Sequence, residues 1–230
     1  MTLNTTLCIT IGLRPIELKR TLKSLSSILH SMPVIAINDF GDEETSKVFK
    51  EMVPHGRIVQ YKSKKNHHKA LDELYSNVST KYIFHCEDDW IFNRSDFIDD
   101  SIKILQEFPN VSSVSFRDIN NFSFSSEQLC QRLIIEGDNI KYTRLDPLHD
   151  QWYGFSLNPN IFEKKLWEQI GKFSQFKKER HISRFLRAND MHMAFLEPGP
   201  CIHGGDDVSI ANPKKFSVIK KVKKYLRNKS

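Results

Sequence analysis

Short apolar runs that alternate with amphipathic stretches constrain the fold of this 230-residue chain more than any other feature. Runs of the kind that forms buried strands occupy residues 7–11, 34–38, 57–61, 81–86 and 111–116. Between them, residues 15–29, 67–77 and 97–108 carry apolar side chains at helical spacing, and residues 43–52 predict a polar helix. This alternation predicts an α/β, Rossmann-like fold with a mostly parallel central sheet and helices on both faces.

The second half of the chain is less regular. Residues 117–150 predict loops with short strands, and residues 162–170 and 181–188 predict helices. We therefore expect one domain over residues 1–213, with halves at 1–116 and 117–213, followed by a separate tail at 214–230.

Acidic residues follow two of the predicted strands, at the edge of the sheet where ligands bind in folds of this kind. Asp39 follows the second strand, and Glu87-Asp88-Asp89 follow the fourth. Three adjacent carboxylates beside apolar runs are costly to ionise together, and a divalent cation such as Mn²⁺ or Mg²⁺ removes that cost. A solvated acidic turn is the alternative for the triplet, and a plain turn residue is the alternative for Asp39.

These features together resemble a known family. The order of elements is similar to that of the family 2 glycosyltransferases and their GT-A relatives. It consists of a strand, Arg14-Pro15, an amphipathic helix, a strand ending in acid, and then a strand followed by Glu-Asp-Asp. Glu-Asp-Asp-Trp is also similar to the N-acetylglucosaminyltransferase I family. The resemblance covers residues 5–116 well and residues 150–206 loosely. It implies a GT-A fold with a small acceptor-side subregion and a hexosyltransferase activity.

The resemblance also implies substrates and site residues. The donor would be a nucleoside-diphosphate sugar, with a UDP-sugar favoured, and the acceptor would be a glycan or a lipid-linked molecule. Asp89 would bind Mn²⁺ or Mg²⁺, while Glu87 and Asp88 would contact the ribose and the donor sugar. The other donor-binding positions that it implies are Gly12, Arg14, Pro15, Asp39, Lys65 and Asn66.

Two further roles come from the second half of the chain. His203 stands where GT-A enzymes often carry a histidine that completes the metal shell, although a structural histidine is the alternative. Inverting members usually carry a Glu-Asp pair before a helix, and here Arg180 replaces the Asp. Glu179 is therefore the first candidate for the catalytic base and Asp150 the second. A helix-start carboxylate is the alternative for Glu179, and the choice between inversion and retention stays open.

The last 17 residues are strongly basic. Residues 214–230 contain eight Lys and Arg and no acid, and their apolar side chains share one helical face. This pattern predicts a basic amphipathic helix on an anionic membrane, with a helix docked on its own domain as the alternative. Removing these eight from the chain's 34 Lys and Arg leaves 26, against 28 Asp and Glu. A body so close to neutral argues against nucleic acid as a partner.

The cysteines and the apolar runs suggest a compartment. The four cysteines are far apart and form no CxxC pair, which favours free thiols in a reducing environment. No secretory signal and no run of about 20 apolar residues is visible. We expect a cytoplasmic protein, peripheral on the inner face of the membrane. The resemblance to GT-A enzymes implies a role in bacterial surface polysaccharide synthesis, for example of lipopolysaccharide.

Three other functions remain open at this stage. A nucleotidyltransferase usually needs a Gly-rich loop after the first strand, which Gly12-Leu13-Arg14-Pro15 does not supply. A metal phosphoesterase could use His67, His68 and His203 with the acidic triplet. A GT-A-like domain without a base could serve as a membrane-associated partner protein.

Overall fold

The computed structural model describes residues 4–64, 66–138 and 140–205. In chain order, the helices and strands are β1 (Thr5–Ile11), α1 (Pro15–Ser24), α2 (Ser26–Leu29), β2 (Val34–Asn38), α3 (Glu43–Met52), β3 (Arg57–Gln60), α4 (His67–Ser76), β4 (Tyr82–Glu87), β5 (Trp90–Phe92), α5 (Phe97–Glu107), β6 (Val111–Ser115), α6 (Ser126–Leu129), β7 (Leu133–Glu136), β8 (Lys141–Arg144), β9 (Asn160–Glu163), α7 (Lys164–Gln169), α8 (Glu179–Ala188), β10 (His192–Phe195) and β11 (Cys201–His203).

Nine strands form one sheet in the order β3-β2-β1-β4-β9-β6-β10-β8-β7, and β11 pairs with β5 in a small second sheet. Within the large sheet, β9 is antiparallel to β4 and β6, and β8 is antiparallel to β10 and β7. The other seven strands run in one direction. The expectation of a mostly parallel α/β sheet is confirmed.

Helices cover the two faces of this sheet with two separate apolar cores. One core joins α1 and α5 to β1 and β4 through side chains such as Leu18, Ile102 and Phe84. The other joins α4, α7 and α8 to the opposite face through Leu71, Trp167 and other side chains. The strands β1 and β4 are therefore buried on both faces, which explains why their sequences read as continuous apolar runs.

The helix predicted over residues 162–170 is wrong at its start. A strand occupies Asn160–Glu163, and helix α7 begins only at Lys164. Ile161 lies in the core on one face of the sheet and Phe162 in the core on the other. This alternation fills the gap between β4 and β6, so burial on two faces overrides the local helical pattern.

The parallel register brings several loops to one edge of the sheet. In that register, Ile11 is opposite Asn38, and Thr10 is opposite Glu87. The residues that follow these three strands therefore share the carboxyl edge. The pairing of β11 with β5 adds a segment from the far end of the chain, since it sets His203 opposite Trp90.

All four cysteines are free thiols; Cys8, Cys86 and Cys201 are buried and Cys130 is exposed. This bears out the expectation that none is paired in a disulfide. Within residues 4–64, 66–138 and 140–205, every helix is too short or too polar to cross a bilayer.

Candidate active site

The acidic triplet is a buried turn and not a solvated one. Asp88 and Asp89 are each only 7% exposed. The hydroxyl of Thr21 donates to the carbonyl of Asp88 at 2.9 Å and accepts from the Trp90 amide at 3.1 Å, which ties the turn to α1. Oδ2 of Asp88 accepts from the Gly12 amide at 3.0 Å. The loop after β1 and the turn after β4 therefore form one unit.

Asp89 is the carboxylate with the most unusual surroundings. The Arg14 guanidinium donates to its Oδ2, and Nε2 of His203 lies 3.2 Å from the same oxygen. Its other oxygen, Oδ1, is buried and makes no hydrogen bond to any described residue. A buried carboxylate oxygen without a donor is costly, and a cation is a partner that would satisfy it.

The three carboxylates of the triplet cannot all be ionised without an energetic cost. Burial, reinforced by the charge of Asp89, raises the pKa of Glu87 to about 8. The same two causes raise the pKa of Asp88 to about 7. The protein therefore resists holding three ionised carboxylates here, and an added positive charge would relieve that resistance.

The donor set fits a divalent cation that a substrate helps to bind. Among the described residues, no three His, Cys, Asp or Glu side chains converge on one point that could hold a metal alone. Mg²⁺ and similar cations are commonly held by one or two carboxylates together with substrate phosphates. Asp89 supplies a carboxylate, and the imidazole of His203 is an acceptable ligand for Mn²⁺.

The chain beside Asp89 also leaves room at this carboxylate. The Gly204 amide donates to the carbonyl of Asp89 at 2.8 Å, so the loop after β11 runs alongside the turn. A Cβ on Gly205 would lie 3.1 Å from Oδ2 of Asp89 and 2.9 Å from its Cβ. A side chain at that position would crowd the carboxylate, which explains why this position is a glycine.

The other residues that the resemblance assigned to the donor lie around the same edge. Gly12 passes so close to Phe40 that a Cβ would lie 2.4 Å from its ring. Pro15 is the first residue of α1. Asp39 is 5% exposed; burial raises its pKa, and the charge of Lys64 partly offsets the effect.

Two further donor candidates precede α4. The side-chain carbonyl of Asn66 caps this helix by accepting from the Lys69 amide at 3.3 Å, so that oxygen already has a structural use. The prediction for Lys65 lies outside the described residues.

A cavity of about 300 Å³ contains the first candidate base. Its walls are formed by Ser115, Arg117, Phe122, Trp152, Tyr153, Ser156, Asn158, Glu179, Met193 and Phe195. Oε1 of Glu179 accepts from the Ser156 hydroxyl and from the Leu157 amide, each at 2.9 Å. Burial raises the pKa of Glu179, and these hydrogen bonds act in the opposite direction. The carboxyl is therefore held in one orientation.

Aromatic and charged contacts connect this cavity to the triplet. Nε1 of Trp90 donates to Oε2 of Glu87 at 3.2 Å, and the Trp90 ring lies 5.2 Å from the ring of His203. The Arg117 guanidinium lies over the Trp90 ring at 5.9 Å. The charge of Glu179 contributes to the raised pKa of Glu87, so the two carboxyls are close enough to interact.

Asp150 lies elsewhere. It is exposed and lines a different groove, which runs along α8 beside Phe176, His181 and Arg184. The structure therefore connects the Glu179 cavity to the triplet through Arg117 and Trp90, but leaves Asp150 out of that cavity.

Sequence reasoning missed three residues of this region: Trp90, Arg117 and Ser156. Arg117 follows β6, a strand parallel to β4, so the rule of the carboxyl edge could have identified it. Nothing in the local sequence marks Ser156, because its contact with Glu179 spans 23 positions of the chain.

The strand order, with an acidic turn after β4 at the carboxyl edge, matches the GT-A fold, and solved structures bear this out. The mannosyltransferase PcManGT from Pyrobaculum calidifontis, in complex with GDP-Man and Mn²⁺, matches with a TM-score of 0.63 and 13% identity. That match covers 96% of this chain and 60% of the other. GalNAc-T7 with UDP, GalNAc and Mn²⁺ matches with 0.62 and 9% identity, over 88% of this chain and 44% of the other.

S. aureus TarS 1-349 is a third neighbour, with a TM-score of 0.57 and 10% identity over 84% of this chain and 57% of the other. This chain therefore spans between 44% and 60% of the length of these neighbours. No protein-family model and no curated protein matches the sequence.

Proposed function

We propose that this protein is a metal-dependent glycosyltransferase that moves a hexosyl group from a nucleoside-diphosphate sugar to a glycan or lipid-linked acceptor. The observation that carries the proposal is the buried, unpartnered Oδ1 of Asp89 within the described residues, beside His203. It lies at the carboxyl edge of a GT-A sheet, where ligands of such sheets bind. The neighbours solved with GDP-Man or UDP and Mn²⁺ support the same chemistry.

On the donor side, Asp89 and His203 would hold Mn²⁺ or Mg²⁺, which supplies positive charge against the diphosphate leaving group when bound. Arg14, which contacts Asp89 here, adds a second positive charge at the same point. Asp39, Glu87 and Asp88 would face the ribose and the sugar. A UDP-sugar is the donor that we favour.

On the acceptor side, Glu179 would take the proton from the acceptor hydroxyl as that oxygen attacks the anomeric carbon. The bonds from Ser156 and Leu157 engage one carboxyl oxygen, which supports a fixed orientation for the other. A base opposite the leaving group corresponds to inversion. Asp150 remains the second candidate for the base, but its position outside the cavity argues against this role.

The walls of the cavity suit a sugar acceptor. Tyr153 has a φ of 69°, a conformation that costs a bulky residue energy and that clusters at functional sites. Its carbonyl accepts from the Met193 amide at 2.8 Å, and its ring packs 5.8 Å from Phe195. An aromatic ring held rigidly beside Glu179 would supply a stacking face for the acceptor.

We further propose the setting. The enzyme would work in the bacterial cytoplasm, peripheral on the inner face of the cell membrane, in surface polysaccharide synthesis such as that of lipopolysaccharide. The support is the free thiols together with the basic stretch over residues 214–230, which lies outside the described residues. That stretch would contact anionic lipid.

Three rival functions have less support. A phosphoesterase would need several side-chain ligands, whereas Nδ1 of His68 is 2.7 Å from the carbonyl of Phe176, and no metal-binding cluster occurs in the described part of the chain. In an inactive partner protein, the buried Glu179 carboxylate would serve only to tie Ser156 and Leu157 to the start of α8. A nucleotidyltransferase would lack its usual glycine-rich loop.

A nucleotide-sugar screen tests the proposal directly. We expect the unfolding midpoint to rise with a UDP-sugar plus Mn²⁺, and to rise less with either alone, because ligands that bind only the folded state stabilise it. Slow release of nucleoside diphosphate should accompany the effect. Release of inorganic phosphate instead would indicate the phosphoesterase, and no binding and no release would indicate the partner protein.

Replacing His203 tests the second metal ligand. His203→Ala should weaken Mn²⁺ and nucleoside diphosphate together, because both would share one coordination shell. Titration of Mn²⁺ into the variant, with nucleoside diphosphate present, measures this. His192→Ala is a matched control, since His192 is buried and its Nε2 is 3.0 Å from the Tyr142 hydroxyl. Equal Mn²⁺ affinity in His203→Ala and wild type would assign His203 a structural role only.

A further inference from the structure

The outer face of α8 carries a dense group of cations. This basic face consists of Lys177, Lys178, Arg180, His181 and Arg184, with Phe185 among them. The two lysines and the two arginines are exposed, and 44% of Phe185 is exposed. Residues 1–213 are nearly neutral as a whole, but this face of α8 carries a local excess of positive charge. Asp150 is the carboxylate that shares the adjoining groove.

These cations do not stabilise the helix or the fold around it. Within the described part of the chain, Lys177, Lys178, Arg180 and Arg184 form no ion pair. Arg180 and Arg184 are four positions apart on one helix, where like charges repel. Cations in the first turn of a helix are also disfavoured by its dipole.

The positive charges of the basic face act together on the side chain of His181. Burial and then the charges of Arg180, Arg184, Lys178 and Lys177 lower the pKa of His181. Every cation of the basic face therefore acts on one imidazole. A cluster that breaks local rules without an internal partner points to an external anion.

We propose that the basic face docks on an anionic phospholipid membrane. An exposed aromatic ring among cations is the composition of surfaces that lie in the interface of such membranes, where the charges meet lipid phosphates and the ring enters the headgroup boundary. Phe185 packs against Phe176 at 5.6 Å, so the ring has support from the fold. A groove of about 750 Å³ runs beside it.

This docking would place the Glu179 cavity close to the membrane surface. Glu179 begins the same helix but faces the cavity, while Arg180 and Arg184 face outward. A lipid-linked acceptor would then meet Glu179 close to the bilayer surface. This last link rests on the proposed function, whereas the docking itself does not.

Vesicle co-sedimentation of the full chain tests the docking. The variant Lys177→Gln, Arg180→Gln, Arg184→Gln should lose about 100-fold in partitioning onto phosphatidylglycerol-containing vesicles, given the contribution of each cation near an anionic surface. The loss should shrink as salt rises. The matched control Lys47→Gln, Lys50→Gln, Lys62→Gln removes three exposed charges around α3 and should partition like wild type. Pure phosphatidylcholine vesicles should bind none of them.

Two results would overturn the proposal. One is unchanged partitioning of the α8 variant while Lys220→Gln, Lys221→Gln, Lys223→Gln abolishes it, which would assign the contact to the tail alone. The other is a wild type that ignores anionic vesicles but binds heparin through the α8 residues. Circular dichroism of each variant verifies folding, and donor hydrolysis in solution, measured in parallel, reports on the transferase independently of membrane contact.

Discussion

Replacing Asp89 with asparagine should reduce Mn²⁺-dependent donor hydrolysis and sugar transfer by roughly 1,000-fold, because a metal that polarises a leaving group contributes several kcal/mol to the transition state. Asparagine keeps the shape of the side chain and one oxygen. It removes the negative charge that the cation needs beside Arg14 and His203. Initial rates over a Mn²⁺ series measure the effect.

The control for this variant is Asp96→Asn, which lies beyond β5 and has a side chain that is 73% exposed. Its activity should match that of wild type. The fold of Asp89→Asn should survive, because the loss of repulsion among three buried carboxylates offsets the loss of the ion pair with Arg14. Full activity of Asp89→Asn at limiting Mn²⁺ would end the assignment of Asp89 as the metal ligand.

Glu179→Gln should lower kcat by about 100-fold to 10,000-fold and leave donor affinity intact, because a general base acts in the transition state. A glutamine carbonyl can still accept from Ser156 and Leu157, so the local fold should survive. Transfer assays with separate kcat and donor KM measure the effect. Glu168→Gln, at an exposed position of α7, is the matched control.

The pH dependence of stability gives an independent readout of Glu179. Burial raises its pKa, so the folded state holds this proton more tightly than the unfolded state does. Glu179 therefore costs stability as the pH rises from its ordinary pKa through the folded-state pKa. Over that window, the unfolding midpoint of Glu179→Gln should fall less than that of wild type.

Unchanged kcat in Glu179→Gln would transfer the role of the base to Asp150 or to a retaining reaction without such a base.

Much of the fold could be predicted because its signals are local. The strands β1, β2 and β4 are buried on both faces and read as apolar runs, and the helices between them show their buried faces by spacing. The acid after β4 was visible for the same reason, since a polar residue that ends a buried run must lie at the edge of a sheet.

The sequence by itself therefore determined the alternation of strands and helices, the carboxyl edge and the acidic triplet. The tertiary structure alone decided the rest. It inserted β9 antiparallel between β4 and β6, and it brought His203 to Asp89 across 114 positions. It also placed the hydroxyl of Ser156 within hydrogen-bonding distance of Glu179. The physical reason is that periodicity reports only how a segment partitions between core and water. Which distant surfaces meet depends on the area that remains to be buried after the local elements have formed.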